Sequence, residues 1–463
     1  MLPDKELLQR VLREALARAG DFADVFVEER RVVGITCEAD QIERMVAGTD
    51  VGAGIRVIAG GNSVYGYTND LSWDGLMNAA RIVVQATGEG GGEKVLDLRP
   101  VTAPYAFAVG LAPEKVEAVA KVELVRRAND RARTAGPAVR QVTVGYADTH
   151  QKVLIANTEG QYVEDERVRT RLMVNVVARK DGLIQTGYEA AGGFKGLELY
   201  QEVPPEQVAD KAASRALQML EARPAPSGRM PVVLSSEAGG TMVHEACGHG
   251  LEADLVQKKL SVYAGRIGEK VAAPPVTVID DATLPGRYGS LVFDDEGTPG
   301  QKTVLIAAGV LAGYMYDRLT AGREGKSSTG NGRRESYQHR PIPRMRNTYI
   351  APGADDPAAL IASVRRGLLV KKMGGGEVNT ANGDFVFEVA EGYMIENGRV
   401  AYPVRGATLA GNGPQVLQLV EGVGTDLGFG IGTCGKDGQG VPVGDAQPTI
   451  LLRELVVGGT EQG

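Results

Sequence analysis

No helix or central strand can run through Pro224-Ala225-Pro226-Ser227-Gly228, because two prolines and a glycine within five residues remove a helix's donors and loosen the backbone. That stretch divides the 463-residue chain near its middle, and the composition changes across it. Residues 1–228 hold 23 glycines, about 10%, whereas residues 229–463 hold 39, about 17%. A chain of this length buries ample core without disulfide or metal staples. We therefore expect an α+β, two-domain chain: an N-terminal mixed α/β domain over 1–223, a linker at 224–228, and a Gly-rich, mainly antiparallel β domain over 229–463.

The first half alternates helical and strand patterns. Leu7, Leu8, Val11, Leu12, Ala15 and Leu16 recur at helical spacing, with Asp4 as a cap and Gly20 as a stop. Strand patterns follow at Asp24–Glu29, Val32–Glu38, Gly54–Ile58 and Val64–Thr68, then a helix over Ser72–Thr87 and a loop at Gly88-Glu89-Gly90-Gly91-Gly92. A helix is expected over Pro113–Thr134. Strands are expected at Gln141–Ala147, Lys152–Asn157, Arg167–Arg179 and Leu183–Tyr188, and a closing helix over Pro205–Arg223. The second half has mostly short β-runs, with helical patterns at Thr241–Leu255 and Pro357–Val364.

Charge and cysteine usage exclude several classes. With 51 basic and 58 acidic residues, the net charge of −7 lacks the basic excess that nucleic-acid binders use. Three cysteines, at 37, 247 and 434, are too few and too scattered for a secreted disulfide framework, so the cytoplasm is the expected compartment. The longest apolar run, Val304–Tyr316, is 13 residues with two internal glycines, which suits a buried hairpin and is too short for a membrane span of ~20. The opening residues carry charges throughout and read as an amphipathic helix rather than a signal peptide.

Chemistry concentrates in Thr241-Met242-Val243-His244-Glu245-Ala246-Cys247-Gly248-His249-Gly250-Leu251-Glu252, which holds two of only four histidines. Zinc proteases use His-Glu-x-x-His, where i,i+4 spacing puts both imidazoles on one helix face beside a general base. Here the spacing is i,i+5. On a regular α-helix that turns the second ring about 140° away from the first, and the two cannot share an ion. A π-bulge, or a distortion allowed by Gly248, would bring them together, so non-α geometry is expected at Ala246–His249. A third ligand must come from elsewhere: Cys247, Glu252 and Cys434 are the candidates, while His150 and His339 are isolated. One thiolate leaves zinc its Lewis acidity and two would blunt it, which favours a single cysteine. A non-enzymatic, zinc-organised binding or regulatory protein is the rival reading; it would close all four positions, for instance with Cys247, and would not need Glu245.

The helix motif does not stand alone. Together with Phe293-Asp294-Asp295-Glu296-Gly297-Thr298-Pro299-Gly300, Arg344-Met345-Arg346-Asn347-Thr348-Tyr349, Pro403-Val404-Arg405-Gly406 through Gly413, and Cys434-Gly435-Lys436-Asp437-Gly438-Gln439-Gly440, it resembles the TldD/PmbA family of metalloproteases. The resemblance spans essentially the whole chain and is to the metal-motif-bearing TldD branch. It implies one Zn²⁺ per chain held by His244, His249 and Cys434, with Glu245 as catalytic acid/base. It further implies hydrolysis of short or unfolded peptides, bound as an added strand in the cavity of a dimer, with a second copy or a PmbA/TldE-like subunit as partner. In such chemistry Glu245 takes a proton from the attacking water and returns it to the leaving amine. A separate donor for the oxyanion is needed, and His339 and Tyr337 qualify on residue chemistry. Glu252 fits a role supporting a ligand histidine. No other cofactor is expected: Gly322-Arg323-Glu324-Gly325-Lys326-Ser327 has two residues between its glycines where a P-loop needs four. The acidic pairs Asp280-Asp281 and Asp294-Asp295 suit turns and hydrogen bonds.

Overall fold

The structure, a computed structural model, describes residues 2–87 and 95–460. The loop expected at Gly88–Gly92 lies outside those residues. The chain is α+β, and its strands fall into three main sheets. The first is built from the N-terminal half, in the order Asn62–Thr68, Gln41–Ala59, Phe22–Glu38, Val139–Asn157, Gln161–Lys180, with Leu183–Gly193 hairpinned onto the last. Its long strands are antiparallel. Helices Lys5–Ala15 and Trp73–Gln85 pack on one end of this sheet through Leu8, Val11, Leu12, Leu76 and Ala80. Helices Ala118–Arg133 and Pro205–Glu221 pack on the other through Val125, Ala128, Val208 and Ala212. Asp4 caps the first helix by accepting from the Leu7 amide, as its position before an apolar period predicts.

The second half contains the other two sheets. In one, five strands close into a barrel, because Arg366–Val378 pairs with both Gly228–Leu234 and Asp384–Glu396, and Ile450–Gly458 and Thr408–Asn412 complete the ring. The other runs from Val310–Leu311 through Lys302–Ala307, Val278–Asp281, Asn347–Ile350 and Gln439–Gln447 to Gly428–Lys436, which is its edge. The largest apolar core lies among these sheets and the residues between them.

Several expected boundaries shift. Asp24–Glu29 and Val32–Glu38 are one 17-residue strand, and Gln41–Asp50, with no apolar alternation, is paired to it. Backbone pairing carries the pattern there, since most of those side chains are exposed. The Pro224–Gly228 stretch is docked rather than free: Arg223–Pro224 pairs with Val404–Arg405 at a sheet edge, where proline is tolerated, and Ala225 is buried in the core. Thr241–Leu255 is not one helix but a chain of short α, π and 3₁₀ turns. In the hairpin expected over Val304–Tyr316, Lys302–Ala307 pairs with the short strand Val310–Leu311, and beyond it Met315 makes a bridge to Glu252. No helix among the described residues is long and apolar enough to cross a membrane.

Candidate metal centre

The i,i+5 histidines meet because the backbone between them is a π turn. Residues His244–Gly248 form it, closed by the His249 amide donating to the His244 carbonyl five residues back, and a 3₁₀ turn over His249–Leu251 follows. The two rings stand 5.0 Å apart, nearly perpendicular. Gly248 has ordinary helical angles, so its use is not an unusual φ. It is needed for space: a Cβ there would collide with the Met345 sulfur, which packs directly against the turn.

Cys434, on the edge strand of the second sheet, completes the cluster. Its Sγ lies 3.3 Å from His249 Nε2, and the donor atoms of His244, His249 and Cys434 all lie within 4.8 Å of one another. Tetrahedral zinc, with bonds of about 2.0–2.3 Å, spaces its donors roughly 3.3–3.6 Å apart, so this set fits with slight closure. Two imidazoles and one thiol are also a donor chemistry that zinc accepts. Burial alone would raise the Cys434 thiol, but hydrogen bonds from His244 and His249 overcome it and hold it at about 5. It is a thiolate at neutral pH, the form that binds metals. The Arg344 guanidinium donates to the Cys434 carbonyl and anchors the backbone at this candidate ligand.

Beneath His249 lies a buried charge relay. His249 Nδ1 donates to Glu252 Oε2 at 3.1 Å, so that Nε2 is the ring atom turned toward Cys434. Lys436 meets the same carboxylate oxygen at 3.1 Å and Asp254 at 2.6 Å. Burial pushes the Glu252 carboxyl up, yet Lys436 and His249 outweigh it and bring it down to about 2. Lys436, two residues after Cys434, thus ties the ligand strand to the ligand turn. Sequence reasoning missed that role, although the lysine sits in the same glycine-rich motif.

The cluster lines a cavity of about 1230 Å³ together with Glu245, which is half-buried. One wall belongs to the N-terminal half: Gln185, Thr186, Tyr188 and Glu189 of the Leu183–Gly193 strand. The opposing barrel strand contributes Lys372, whose ammonium lies 3.3 Å from Glu189. No sequence motif marked this wall. The glycines flanking Cys434 have space around them. A Cβ on Gly435 would meet nothing within 4 Å, and one on Gly432 would meet only Val443 at 3.6 Å. Neither is needed for close packing, and each leaves its own position on the cavity wall without a side chain.

Two of the expected positions lie away from the cavity. Tyr337 is buried against the N-terminal sheet, where its ring abuts Gly52 and its hydroxyl donates to Asp50 at 3.3 Å. His339 bonds Ser336 at 3.0 Å in a neighbouring turn, and neither residue lines the cavity. A tight Arg-Glu-Ser-Tyr-Gln-His segment reads as catalytic in sequence because turn-forming and catalytic side chains are the same types. Cys247 points the other way from the histidines, into the core, with Sγ against the Val243 carbonyl. Burial pushes its thiol up to about 12. Cys37 is buried packing in the N-terminal core. His150 is hydrogen-bonded to Glu166. Of the acidic pairs, Asp280 is ion-paired with Arg346, and Asp294 accepts the Glu296, Thr298 and Gly332 amides as a turn residue.

A convergent set of two imidazoles and a thiolate, opening on a deep cavity, is the kind of site around which metal-dependent hydrolases are built. Comparison with known proteins agrees. Three profiles of the PmbA/TldA metallopeptidases match in order: domain 1 at residues 23–87, the central domain at 112–220 and the C-terminal domain at 227–459. A metalloprotease TldD homologue of Haemophilus influenzae is 38% identical over 95% of this chain and 93% of its own length. A metalloprotease of Methanothermobacter thermautotrophicus is 35% identical over 99% of both chains. In structure, the chain resembles TldE from Thermococcus kodakarensis, with a TM-score of 0.78 and 20% identity over 98% of this chain and 100% of the other. A Thermotoga maritima protein, whose name refers to modulation of a DNA gyrase, gives 0.82 and 23% over 98% and 100%. At those identities the likeness is one of fold. The chain belongs to the PmbA/TldD family of metallopeptidases.

Proposed function

We propose that this protein is a zinc-dependent peptidase of the TldD type, with one Zn²⁺ per chain held by His244, His249 and Cys434. The observation that carries the reading is the π turn, which aims two imidazoles at a thiolate while presenting Glu245 to the same cavity. Zinc bound there supplies a Lewis acid that acidifies water and polarises a carbonyl. Glu245 accepts the water's proton on a carboxylate oxygen and passes it to the leaving nitrogen. Glu252 and Lys436 keep His249 in one tautomer and one orientation. The donor set counts three protein groups, with Cys247 turned into the core, and this favours an open catalytic position over the closed four-ligand site of a zinc-organised binding protein.

The substrate is a short or unfolded peptide. Gly428–Lys436 is the edge of its sheet, lines the cavity and carries Cys434, so an extended peptide laid along it bonds backbone to backbone beside the ligands. The division at 224–228 gives each half a part: residues 1–223 supply a cavity wall, and 229–463 supply the ligands and Glu245. The protein works in the cytoplasm, as a homodimer or with a TldE-like partner. The test is Glu245→Gln, measured for metal content and for cleavage of a mixed peptide pool. Full zinc with hydrolysis reduced by about 10²–10⁴ is expected. Undiminished hydrolysis would sink the assignment.

A further inference from the structure

A second, smaller cavity of about 270 Å³ lies between the two halves, and arginines dominate its wall. Arg167, Arg169 and Arg171 alternate along Gln161–Lys180 and so share one face of the N-terminal sheet. Their cross-strand partners are Gln151, Thr149 and Ala147, all neutral, and beyond Gln151 lies Arg30. From the C-terminal half come Arg333 and Arg334. Against six guanidiniums the lining holds two carboxylates, and both are engaged: Asp295 pairs with Arg167, and Glu335 accepts the Gly440 amide.

Charge is therefore left over. Arg30, Arg169, Arg171 and Arg333 have no carboxylate within ion-pairing distance among the described residues, and Arg169 and Arg333 are more than nine-tenths buried. Arg169 donates only to the Tyr288 and Ser290 carbonyls, at 2.9 and 2.8 Å, and Arg333 only to those of Met345 and Pro442. Carbonyls satisfy N–H groups but not a net positive charge, and buried cations without a counter-charge are costly. Burial, with Arg167 beside it, pulls Arg169 down to about 10, and burial, with Arg169 beside it, pulls Arg333 down to about 9, with Asp295 offsetting both only in part. The arginines bonded to carboxylates behave oppositely, with Arg167 held up by Asp295 and Asp165 against its own burial.

We propose that this cavity is a binding site for a small oxyanion, a carboxylate or a phosphate, clamped between the two halves of the chain by Arg169, Arg171, Arg30 and Arg333. Guanidinium forks match the planar or tetrahedral oxygens of both groups. The volume takes a phosphate or a small tricarboxylate, not a macromolecule. The position couples the site to the metal centre. Thr433, adjacent to Cys434 on the ligand strand, lines both cavities, and Arg333 grips the carbonyl of Pro442, the cross-strand partner of Thr433. An anion here braces the strand that carries the thiolate, and the carboxylate of a peptide in the main cavity is a second source of the same chemistry.

The test is calorimetric titration of the full-length protein with inorganic phosphate and with citrate, at constant ionic strength against chloride. One saturable site per chain is expected, weakened at least about tenfold in Arg30→Gln and Arg171→Gln, as loss of one charge-assisted hydrogen bond requires. These two half-buried arginines make no side-chain hydrogen bond among the described residues, so the fold tolerates the change better than it would at Arg169. Absence of binding by both anions, or binding unchanged in the double variant, overturns the proposal. The source is read from peptides with free and amidated C-termini. A lower KM for the free acid that phosphate competes away assigns the site to a substrate carboxylate, and phosphate binding with equal KM values assigns it to a free anion. Because the first readout is binding, it stands whether or not the peptidase assignment does.

Discussion

The surroundings of Cys434 and of Cys247 act on the two sulfurs in opposite ways. Both thiols are buried, but only Cys434 lies with the histidines; Cys247, within the π turn, meets the Val243 carbonyl. At Cys434 two imidazoles face the sulfur and hold it at about 5; at Cys247 the sulfur meets the Val243 carbonyl within the core, and burial pushes it to about 12. Burial acts in the same direction at both positions. What separates a candidate metal ligand from inert packing is whether hydrogen-bond donors meet the sulfur once water has left.

The sharpest way to break that contrast is to remove each sulfur in turn. Cys434→Ala is expected to lose bound metal and peptide hydrolysis together, read by elemental analysis and a peptide digest, while Cys247→Ala keeps both. The reverse outcome would move the third ligand into the turn. A second measurement leaves the sequence intact: in chelator-treated protein, iodoacetamide at pH 7 should modify Cys434 far faster than Cys247. Because the Cys434 pKa is depressed, its thiolate persists above about pH 5, and the alkylation rate should fall about tenfold for each pH unit below that. Equal rates for the two thiols would contradict the electrostatic account.

A smaller effect is expected one layer out. Glu252→Gln removes the carboxylate that orients His249 and should weaken zinc binding about 10–100-fold without abolishing it, measured by competition with a chromophoric chelator. Unchanged affinity would mean that His249 is held by packing alone. The smallest change belongs to Cys247→Ala on the core side, where loss of one buried sulfur should lower unfolding stability by about 1–2 kcal/mol in denaturant titration.

Much of the site can be read in the residues themselves. The i,i+5 spacing demands a non-α turn, and the π turn over His244–Gly248 meets that demand. Glu252, three residues beyond His249, lies where a carboxylate can support the ring. Legibility fails where contacts are distant in sequence. Tyr337 and His339 have the right chemistry but face the N-terminal sheet and a local turn. The Leu183–Gly193 wall carries no motif because the partners that bring it to the cavity, such as Lys372 for Glu189, lie far away in the sequence. Lys436 looks like part of a loop motif until Glu252 arrives from 184 residues earlier in the chain. The six arginines of the smaller cavity are unremarkable one by one, and only strand register gathers them.

Local rules, such as helical period, proline breaks and histidine spacing, act over a few residues, and they suffice to set the α+β character, the change of composition at 224–228 and the distorted ligand turn. The identity of the third ligand, the charge on its sulfur and the second wall of the cavity depend on groups hundreds of residues apart. Those were decided only when the two sheets of the second half packed against the turn and excluded water, since a thiol's ionisation and a guanidinium's missing partner are set by what burial brings within hydrogen-bonding reach.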